Sequence, residues 1–396
     1  MAALAFDPRT LRKEAFMGSS RHADGDRSMH TDELVSVIVP AYNAARTLGD
    51  TLDSIRRQTH PHLEIIVVDD GSRDRTAAVA EAHAAEDERI RLVRQENGGV
   101  ARARNAGAAA SRGAYIAPVD ADDLWHPDKI ARQLTALRAA GPGAGYAYTY
   151  FRRIDADGRV IHSAGHRIEG AAFLRSILLN FVGNGSALLI QRAAFESVGG
   201  YDPALHDAGL QGCEDYLLQM RIARHWRVVC VAEYLTGYRT VEGAMSADRL
   251  RMAHSQCAAF DTLARQEPDA PAELLAAARA LTLAQIGVRL GIRLQRGARG
   301  VLGAAIANDA HTAARIIARE AIRDARGIIA RRVARLFPRP ARFRPRFADL
   351  APDQRPHTSD PPPLAGHIAA LAVHEETFFT PTAGRTACLP RASAPG

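Results

Sequence analysis

Three carboxylates that follow one short apolar run mark the first place in the chain where chemistry is expected. The run covers residues 115–119, and its length and composition predict a buried strand. Asp120, Asp122 and Asp123 come where that strand should end. Carboxylates this close repel one another unless a cation lies between them, which favours a divalent cation, Mg²⁺ or Mn²⁺, that also carries substrate phosphates. Taken alone, the pattern is more often a polar turn in which Asp123 caps the next helix.

Two other predicted strands also end in polar or aromatic groups. Residues 34–39 form a β-branched run that stops at Pro40, and Tyr42 beyond it offers a face on which a nucleobase could stack. Residues 63–68 end at Asp69 and Asp70, where a carboxylate could accept the N3–H of a uracil-like base. Because ligands of open α/β sheets bind at the carboxyl ends of the strands, these groups and the three carboxylates should share one cleft. A tyrosine packed beside a helix start and a capped turn are the structural alternatives.

Several further residues fit either a functional or a structural role. Arg102 and Arg104 lie on the predicted helix 100–110, where they could meet a diphosphate or remain solvated. Trp125 follows the three carboxylates and could face a ligand in the cleft or lie buried in the core. Glu214 and Asp215 begin a predicted helix, where acidic side chains favour the helix dipole. The residues alone favour that dipole role for the acidic pair.

The elements that must position these residues alternate between strand and helix. Strands are predicted at 34–39, 63–68, 90–93 and 115–119, and the helices between them at about 48–55, 75–85 and 100–110. This alternation predicts βαβ units and therefore an α/β fold with a mostly parallel sheet flanked by helices. Further along, residues 145–154 and 160–162 flank the sequence DADG and predict a hairpin.

Composition restricts the class of protein. The chain has 396 residues, an apolar fraction of 47% and a net charge of +7, and its only lysines are Lys13 and Lys129. Such an arginine bias can follow from codon composition, so we expect no nucleic-acid partner; the basic balance suits an anionic substrate or a membrane surface. No apolar run is long enough to span a membrane, the first 32 residues lack the apolar core of a signal peptide, and the four cysteines show no paired spacing. A cytoplasmic location is expected.

The motifs together resemble those of a family 2 glycosyltransferase of the GT-A fold. The resemblance covers about residues 34–245, and a chance match of its segments in order is implausible. The segments are 35–43 (VSVIVPAYN), 64–72 (EIIVVDDGS), 103–107 (ARNAG), 120–123 (DADD) and 195–202 (FESVGGYD), the last followed by Glu214 and Asp215.

The resemblance implies roles for particular residues. Asp70 would hold the nucleobase beside Tyr42, and Asp122 of the D-x-D pair would touch the metal that bridges the diphosphate. Asp215 would be the general base of an inverting transfer, taking the proton of the acceptor hydroxyl. The nucleotide-binding set expected in this way is Pro40, Tyr42, Asp70, Arg104 and Asp120.

One segment departs from the family pattern. Many members carry a histidine and a serine-rich loop after the position of Arg239, whereas residues 240–246 (TVEGAMS) contain no histidine. Arg239 or Ser246 could supply a diphosphate contact instead. Glu214, Arg239 and Trp125 are therefore kept as candidate diphosphate or acceptor contacts.

The chain divides into four parts on these patterns. A mobile leader over 1–33 precedes a GT-A domain over 34–255, with a nucleotide-binding half at 34–123 and an acceptor half at 124–255. An Ala- and Arg-rich helical extension over 256–336 and a Pro- and Arg-rich tail over 337–396, expected to be disordered, complete it. Within the extension, one helical face carries Arg315, Arg319, Arg323 and Arg326. This face could rest on an anionic membrane as a peripheral contact or stay solvated.

Three functions are compatible with the motifs. The first is an enzyme that transfers a sugar from a nucleoside-diphosphate donor, preferably a UDP-sugar, to a saccharide, lipid-linked or protein acceptor in surface polysaccharide or glycoconjugate synthesis. The second is a nucleotidyltransferase, which would need a Gly-rich basic loop where residues 40–43 (PAYN) stand. The third is a catalytically silent nucleotide-sugar-binding relative, against which the retention of both Asp122 and Asp215 argues.

Overall fold

The computed structural model describes residues 33–210, 212–240, 248–292, 298–320, 322, 345–352, 371–372, 374–376 and 379. The predicted leader, except for its last residue, lies outside these residues. The same holds for positions 241–246 of the loop that lacks the histidine, and for Arg323 and Arg326 of the predicted basic face.

The first half of the domain alternates strands and helices as the sequence predicts. Its elements are β1 (Val35–Ala41), α1 (Leu48–Arg56), β2 (Leu63–Asp70), α2 (Thr76–Glu86), β3 (Ile90–Gln95), α3 (Val100–Ala109) and β4 (Tyr115–Pro118). Helix α1 forms because Leu48, Leu52 and Ile55 share one fully buried face. Asn43 does not cap this helix, since the helix begins after Thr47 and the Asn43 Oδ1 atom accepts a hydrogen bond from the Arg73 amide.

The second half adds shorter helices and antiparallel strands. Its elements are β5 (Leu124–Trp125), α4 (Lys129–Ala140), β6 (Ala144–Ile154), β7 (Val160–Ala164), α5 (Phe173–Leu178), β8 (Leu188–Gln191), α6 (Arg192–Ser197), α7 (Ala204–Asp207), α8 (Glu214–His225) and β9 (Arg227–Arg239). The hairpin predicted around residues 155–158 is confirmed, because β6 and β7 pair antiparallel.

All strands join one mixed sheet in the order β3-β2-β1-β4-β8-β6-β9-β5, with β7 paired to β6. Strands β1 to β4 are mutually parallel, β8 is antiparallel to both β4 and β6, and β9 is parallel to β6. The carboxyl ends of β1, β2, β4 and β9 therefore meet at one edge of the sheet. The reversed direction of β8 brings its amino end to the same edge. Residues far apart in sequence are collected there.

The sheet is buried on both faces. Along β1, Val35, Val37 and Val39 pack into one apolar cluster with α1 and α4, whereas Ile38 points into the other cluster with α3. Alternate side chains of a strand point to opposite faces, so an uninterrupted apolar run such as residues 37–39 fits a strand covered on both sides.

The region after the sheet is helical, as predicted, and parts of the expected tail pack back onto the domain. The helices are α9 (Arg249–Gln266), α10 (Ala272–Ile292), α11 (Ala298–Asn308) and α12 (310–320). Ala313 and Ile316 bury the apolar side of α12 against α10 and α11. Phe347 packs over Gly237, and Glu375 is buried where its carboxylate accepts hydrogen bonds from the Leu174 and Arg175 amides. These two segments differ from the disorder expected for residues 337–396. Within the described residues, no helix is long and apolar enough to cross a membrane.

Candidate active site

A cavity of about 410 Å³ opens at the shared edge of the sheet, where the carboxyl ends of β1 and β4 meet the amino end of α8. It brings together seven of the residues singled out from the sequence: Pro40, Tyr42, Arg104, Asp120, Asp122, Glu214 and Asp215. Asp70, Trp125 and Arg239 are not part of its lining. Residues from both predicted halves of the domain, 34–123 and 124–255, therefore line one cleft.

A buried arginine joins the two halves. Arg104 is 3% exposed on α3, and its guanidinium donates to Asp120 Oδ1 at 2.5 Å and to Glu214 Oε1 at 2.9 Å. The guanidinium also lies 5.1 Å from the centre of the Tyr201 ring. Charge-assisted hydrogen bonds of this kind are stronger than neutral ones, so Arg104 fixes the end of β4 against the start of α8. Arg102, by contrast, lies on the exposed side of α3 and pairs with Asp207.

Asp215 lies in the cavity beside this ion triad. Burial, followed by the neighbouring Glu214 carboxylate, raises the pKa of Asp215 from its ordinary 3.8 to about 7. Gly185 borders it closely, since a Cβ at that position would lie 3.6 Å from Asp215 Oδ2. A carboxylate with a pKa near neutrality can accept a proton and release it again at the pH of the cell.

The environment of Asp122 fits a cation ligand. Burial and the nearby Asp120 raise the pKa of Asp122 to about 6, so its charge lacks a sufficient counter-charge. No other described residue donates a hydrogen bond to its carboxylate, although it lines the cavity. The described residues contain no group of three or more His, Cys, Asp or Glu side chains placed to hold a metal ion. Mg²⁺ sites commonly use only one or two carboxylates together with phosphate oxygens, so Asp122 and Asp120 remain suitable.

Asp123 and Ser186 hold the loop that carries Asp122. Asp123 is fully buried; it accepts hydrogen bonds from the Ser186 hydroxyl at 2.5 Å and from the Arg239 amide at 2.8 Å. The Ser186 hydroxyl oxygen also accepts a hydrogen bond from the backbone amide of Asp120. Asp123 therefore does not cap the next helix, whose first residue, Lys129, follows Asp128.

Arg239 and Trp125 support this loop from outside the cavity. Arg239 is 3% exposed, and its side chain donates to the carbonyls of Asp122 and Ala156 and to the Asp50 carboxylate. Each of the three guanidinium nitrogens thus donates to a protein oxygen, and Arg239 does not line the cavity. Trp125 is buried against Lys129, whose ammonium nitrogen lies 4.1 Å from the ring centre, and its indole donates to the Ser186 carbonyl. Burial excludes Trp125 from a direct contact with an acceptor sugar, and the core alternative holds.

Asp70 is engaged by a turn of the protein itself. Its Oδ1 atom accepts the Gln95 amide group and the Gly98 backbone amide, while Oδ2 accepts the Asn97 side chain and the Gly99 amide. A carboxylate has about four acceptor positions, so these bonds fill them. Tyr42, in contrast, is 51% exposed at the cavity and free to stack on a flat ligand.

Sequence reasoning missed the turn at residues 183–186. Asn184, Gly185 and Ser186 contact the cavity or its carboxylates, yet the sequence indicates here only a strand predicted over 186–191. The one available signal is the cluster NFVGNGS at residues 180–186, which combines two glycines with polar residues directly before an apolar run.

The fold, with its strand ends collected at one cavity, is of the glycosyltransferase type, and comparison with known proteins agrees. Residues 36–198 match the family described as Glycosyl transferase family 2. The match over this segment confirms the resemblance predicted from the motifs.

A curated relative gives the same class. A Bacillus subtilis glycosyltransferase, TuaG, provisionally assigned to teichuronic acid biosynthesis, is 37% identical over 141 residues, which is 35% of this chain and 55% of that protein. The chain spans between about a quarter and three fifths of the length of the curated relatives it matches first.

Solved structures share the fold at low identity. Staphylococcus aureus TarS, residues 1–349 in complex with UDP-GlcNAc, matches with a TM-score of 0.51 and 16% identity, covering 74% of this chain and 92% of that one. A Pyrobaculum calidifontis mannosyltransferase in complex with GDP-Man and Mn²⁺ matches with a TM-score of 0.50 and 22% identity, covering 77% and 88%. These likenesses confirm the GT-A fold with a helical C-terminal region that the sequence predicts.

Proposed function

We propose that the chain is an inverting glycosyltransferase that moves a sugar from a nucleoside-diphosphate donor, preferably a UDP-sugar, to an acceptor hydroxyl. The observation that carries the proposal is the pairing of Asp122 and Asp215 in one cavity. Asp122 is a strand-end carboxylate without a bonded neighbour, and Asp215 is a carboxylate with a pKa of about 7. The first suits a cation and the second suits a general base.

Asp215 acts as the base in this proposal. The acceptor hydroxyl loses its proton to the Asp215 carboxylate while its oxygen attacks the anomeric carbon of the donor sugar. The bond from that carbon to the diphosphate oxygen breaks, and the nucleoside diphosphate leaves with the electron pair. Attack opposite the leaving group inverts the configuration of the anomeric carbon. A pKa near the working pH suits a group that must take up a proton during transfer and release it afterwards.

Asp122, with Asp120 beside it, would hold the divalent cation, Mg²⁺ or Mn²⁺. When bound there, such an ion stabilises the charge that builds up on the leaving diphosphate. The protein supports the position through Asp123, Ser186 and Arg239, which anchor the loop on both sides of Asp122. The Mn²⁺ named with the Pyrobaculum calidifontis mannosyltransferase is consistent with such a role.

The donor end of the cavity would be formed by Pro40 and Tyr42. The exposed ring of Tyr42 offers a stacking surface for the base. For Asp70 to accept the uracil N3–H, the 97–99 turn would have to open. In the structure the acceptor positions of the Asp70 carboxylate are occupied by hydrogen bonds from that turn.

The acceptor is proposed to be a growing surface polysaccharide or related glycoconjugate. The support is TuaG, which matches residues of this domain and is provisionally assigned to teichuronic acid biosynthesis. Other relatives are named only as glycosyltransferases.

A donor screen tests the proposal. The full chain is scanned by thermal shift with UDP-N-acetylglucosamine, other UDP-sugars and GDP-mannose, each with Mn²⁺ and with EDTA, and the donors that bind are assayed for hydrolysis and transfer. Metal-dependent stabilisation followed by turnover is the expected result. Donor binding without hydrolysis or transfer would instead indicate a catalytically silent nucleotide-sugar-binding protein. Absence of binding by every donor would remove the proposed function altogether.

A further inference from the structure

Asn184 lies in the cavity with an amide group that the protein leaves unsatisfied. The side chain is 3% exposed, and both its Nδ2 and Oδ1 atoms are buried without a hydrogen bond to any described residue. Nearly all buried polar side-chain atoms in folded proteins have a partner, so two orphaned atoms on one side chain require an explanation. The cavity that Asn184 lines supplies one.

The backbone on both sides of Asn184 is fixed, which holds the amide in place. Gly183 has a φ of +84°, its amide donates to Asn180 Oδ1, and a Cβ there would lie 2.5 Å from the Phe151 ring. On the other side, Gly185 approaches Asp215, and Ser186 bonds the loop of Asp120 and Asp123. Asn184 therefore lines the cavity directly before a residue that approaches the candidate base and two positions before one that is bonded to the loop of the candidate metal ligands.

We propose that Asn184 binds hydroxyl groups of a sugar at the reaction centre and helps to determine which sugar is accepted. This inference rests on the proposed function and deepens it. An amide presents N–H donors and a carbonyl acceptor on one plane, and two neighbouring sugar hydroxyls present the matching acceptor and donor.

The charges around Asn184 favour a neutral ligand over an anionic one. The cavity lining includes four carboxylates, those of Asp120, Asp122, Glu214 and Asp215, against the single guanidinium of Arg104. A phosphate would accept only from Nδ2 and would leave the carbonyl oxygen unsatisfied. A hydroxyl pair satisfies both atoms and adds no negative charge.

Such hydroxyls could belong to the donor sugar or to the acceptor, and binding measurements separate the two. Asn184→Leu and Asn184→Ala are compared with the wild type by calorimetry, with UDP alone and with the UDP-sugar selected in the donor screen, and by transfer kinetics. A donor-sugar contact should weaken the UDP-sugar about tenfold while UDP alone binds equally. An acceptor contact should leave both affinities intact and lower the transfer kcat/KM for the acceptor about tenfold. Either result supports the inference.

A thermal measurement excludes a purely structural amide. In Asn105 the same group is satisfied, since its Nδ2 donates to the Tyr201 carbonyl and its Oδ1 accepts the Tyr201 amide. Asn105→Leu should therefore lower the Tm of the ligand-free protein, whereas Asn184→Leu should leave it unchanged or raise it. Equal losses of Tm, or unchanged affinity and kinetics in both Asn184 variants, would overturn the inference. So would an equal loss of UDP and UDP-sugar affinity, because the amide would then face the nucleotide. If the wild type transfers sugar, these outcomes reject only the role of Asn184 and leave the proposed glycosyltransferase function intact. If the wild type binds no donor, both the proposed function and the role of Asn184 are rejected.

Discussion

Arg104 Nη2 lies 2.5 Å from Asp120 Oδ1, although the two residues come from different elements of the fold. The same guanidinium donates to Glu214, 110 positions further along the chain. Through this arginine, the strand end that carries the metal-binding candidates and the helix start that carries the base candidate become one rigid unit. The arrangement has consequences for stability that can be measured separately from catalysis.

Replacing Arg104 with Met should destabilise the fold. Glu214 is 8% exposed and would keep a buried, unpaired charge, which typically costs about 3–5 kcal/mol of unfolding free energy. We expect the lower end of that range, because Asp120 remains 32% exposed and can be solvated. Urea unfolding provides the measurement.

Arg102→Met is the matched control for this variant. Arg102 is on the same helix, but it and its partner Asp207 are both exposed, so solvent screens the pair and the loss should be small. Equal losses in the two variants would show that the Arg104 triad adds no more stability than a surface pair.

Asp215→Asn should impair turnover and spare the fold. Loss of a general base typically lowers the rate about 10²–10⁴-fold, while donor affinity should stay within a few-fold of wild type. Because the folded pKa of about 7 exceeds the ordinary 3.8, the ionised carboxylate is unfavourable in the fold, so at pH 8 the variant should be at least as stable as wild type. Transfer at nearly the normal rate together with a lower Tm would show instead that Asp215 serves the helix start.

The pH dependence of transfer should reflect the two raised carboxyl pKa values. Asp215 accepts a proton only when ionised, so the kcat/KM for the donor should fall as the pH drops below about 7. Where the cation is not saturating, the slope should steepen below about pH 6, because protonation of Asp122 then competes with cation binding. A profile recorded between pH 5 and 9 tests this, and a rate that stays constant down to pH 5 would contradict it.

Asp122→Asn should remove the metal dependence of donor binding without unfolding the protein. Its carboxylate is disfavoured by burial and receives no hydrogen bond from another described residue, so neutralising it should not lower the Tm. Calorimetry with UDP should show binding that requires Mn²⁺ in the wild type and is weakened in the variant.

Asp123→Asn separates the metal site from its scaffold. The buried Asp123 carboxylate accepts from both Ser186 and Arg239, and an amide cannot accept both bonds at its two atoms. The Asp123→Asn variant should therefore have a lower Tm than the wild type.

For Asp122→Asn, the contradicting outcome is that the variant and the wild type bind UDP equally well, both in EDTA and in Mn²⁺. That result would exclude Asp122 as a metal ligand.

Asp70→Ala should affect the fold as well as the nucleotide. Loss of hydrogen bonds to a charged acceptor costs roughly 1.5–3 kcal/mol, and here the donors are the residues of the 97–99 turn. We expect a lower unfolding free energy together with UDP binding weakened about tenfold. If the variant loses UDP affinity but keeps its unfolding free energy, the Asp70 carboxylate bonds the nucleobase and does not stabilise the turn.

Much of the domain was determined by local sequence pattern. The apolar runs before Pro40, Asp69 and Asp120 predicted strands, and the strand ends predicted one edge where polar groups collect. These predictions succeed because side-chain periodicity and strand length are properties of a few neighbouring residues. The family motifs added the class of protein for the same reason: each is a short, contiguous segment.

Partners within the site were decided only by the tertiary structure. Packing of distant elements determines that Arg239 and Trp125 are buried beneath the loop that carries Asp122. It also determines that the 97–99 turn occupies the acceptor positions of Asp70. The reversed strand β8 brings Ser186 to Asp123, and no pattern around either residue reveals that contact. The raised pKa of Asp215 likewise comes from burial and from Glu214 held in place by Arg104. Residue types and spacing predicted several of the groups that meet at the edge of the sheet, but hydrogen bonding and desolvation depend on atoms that approach only after the chain has folded.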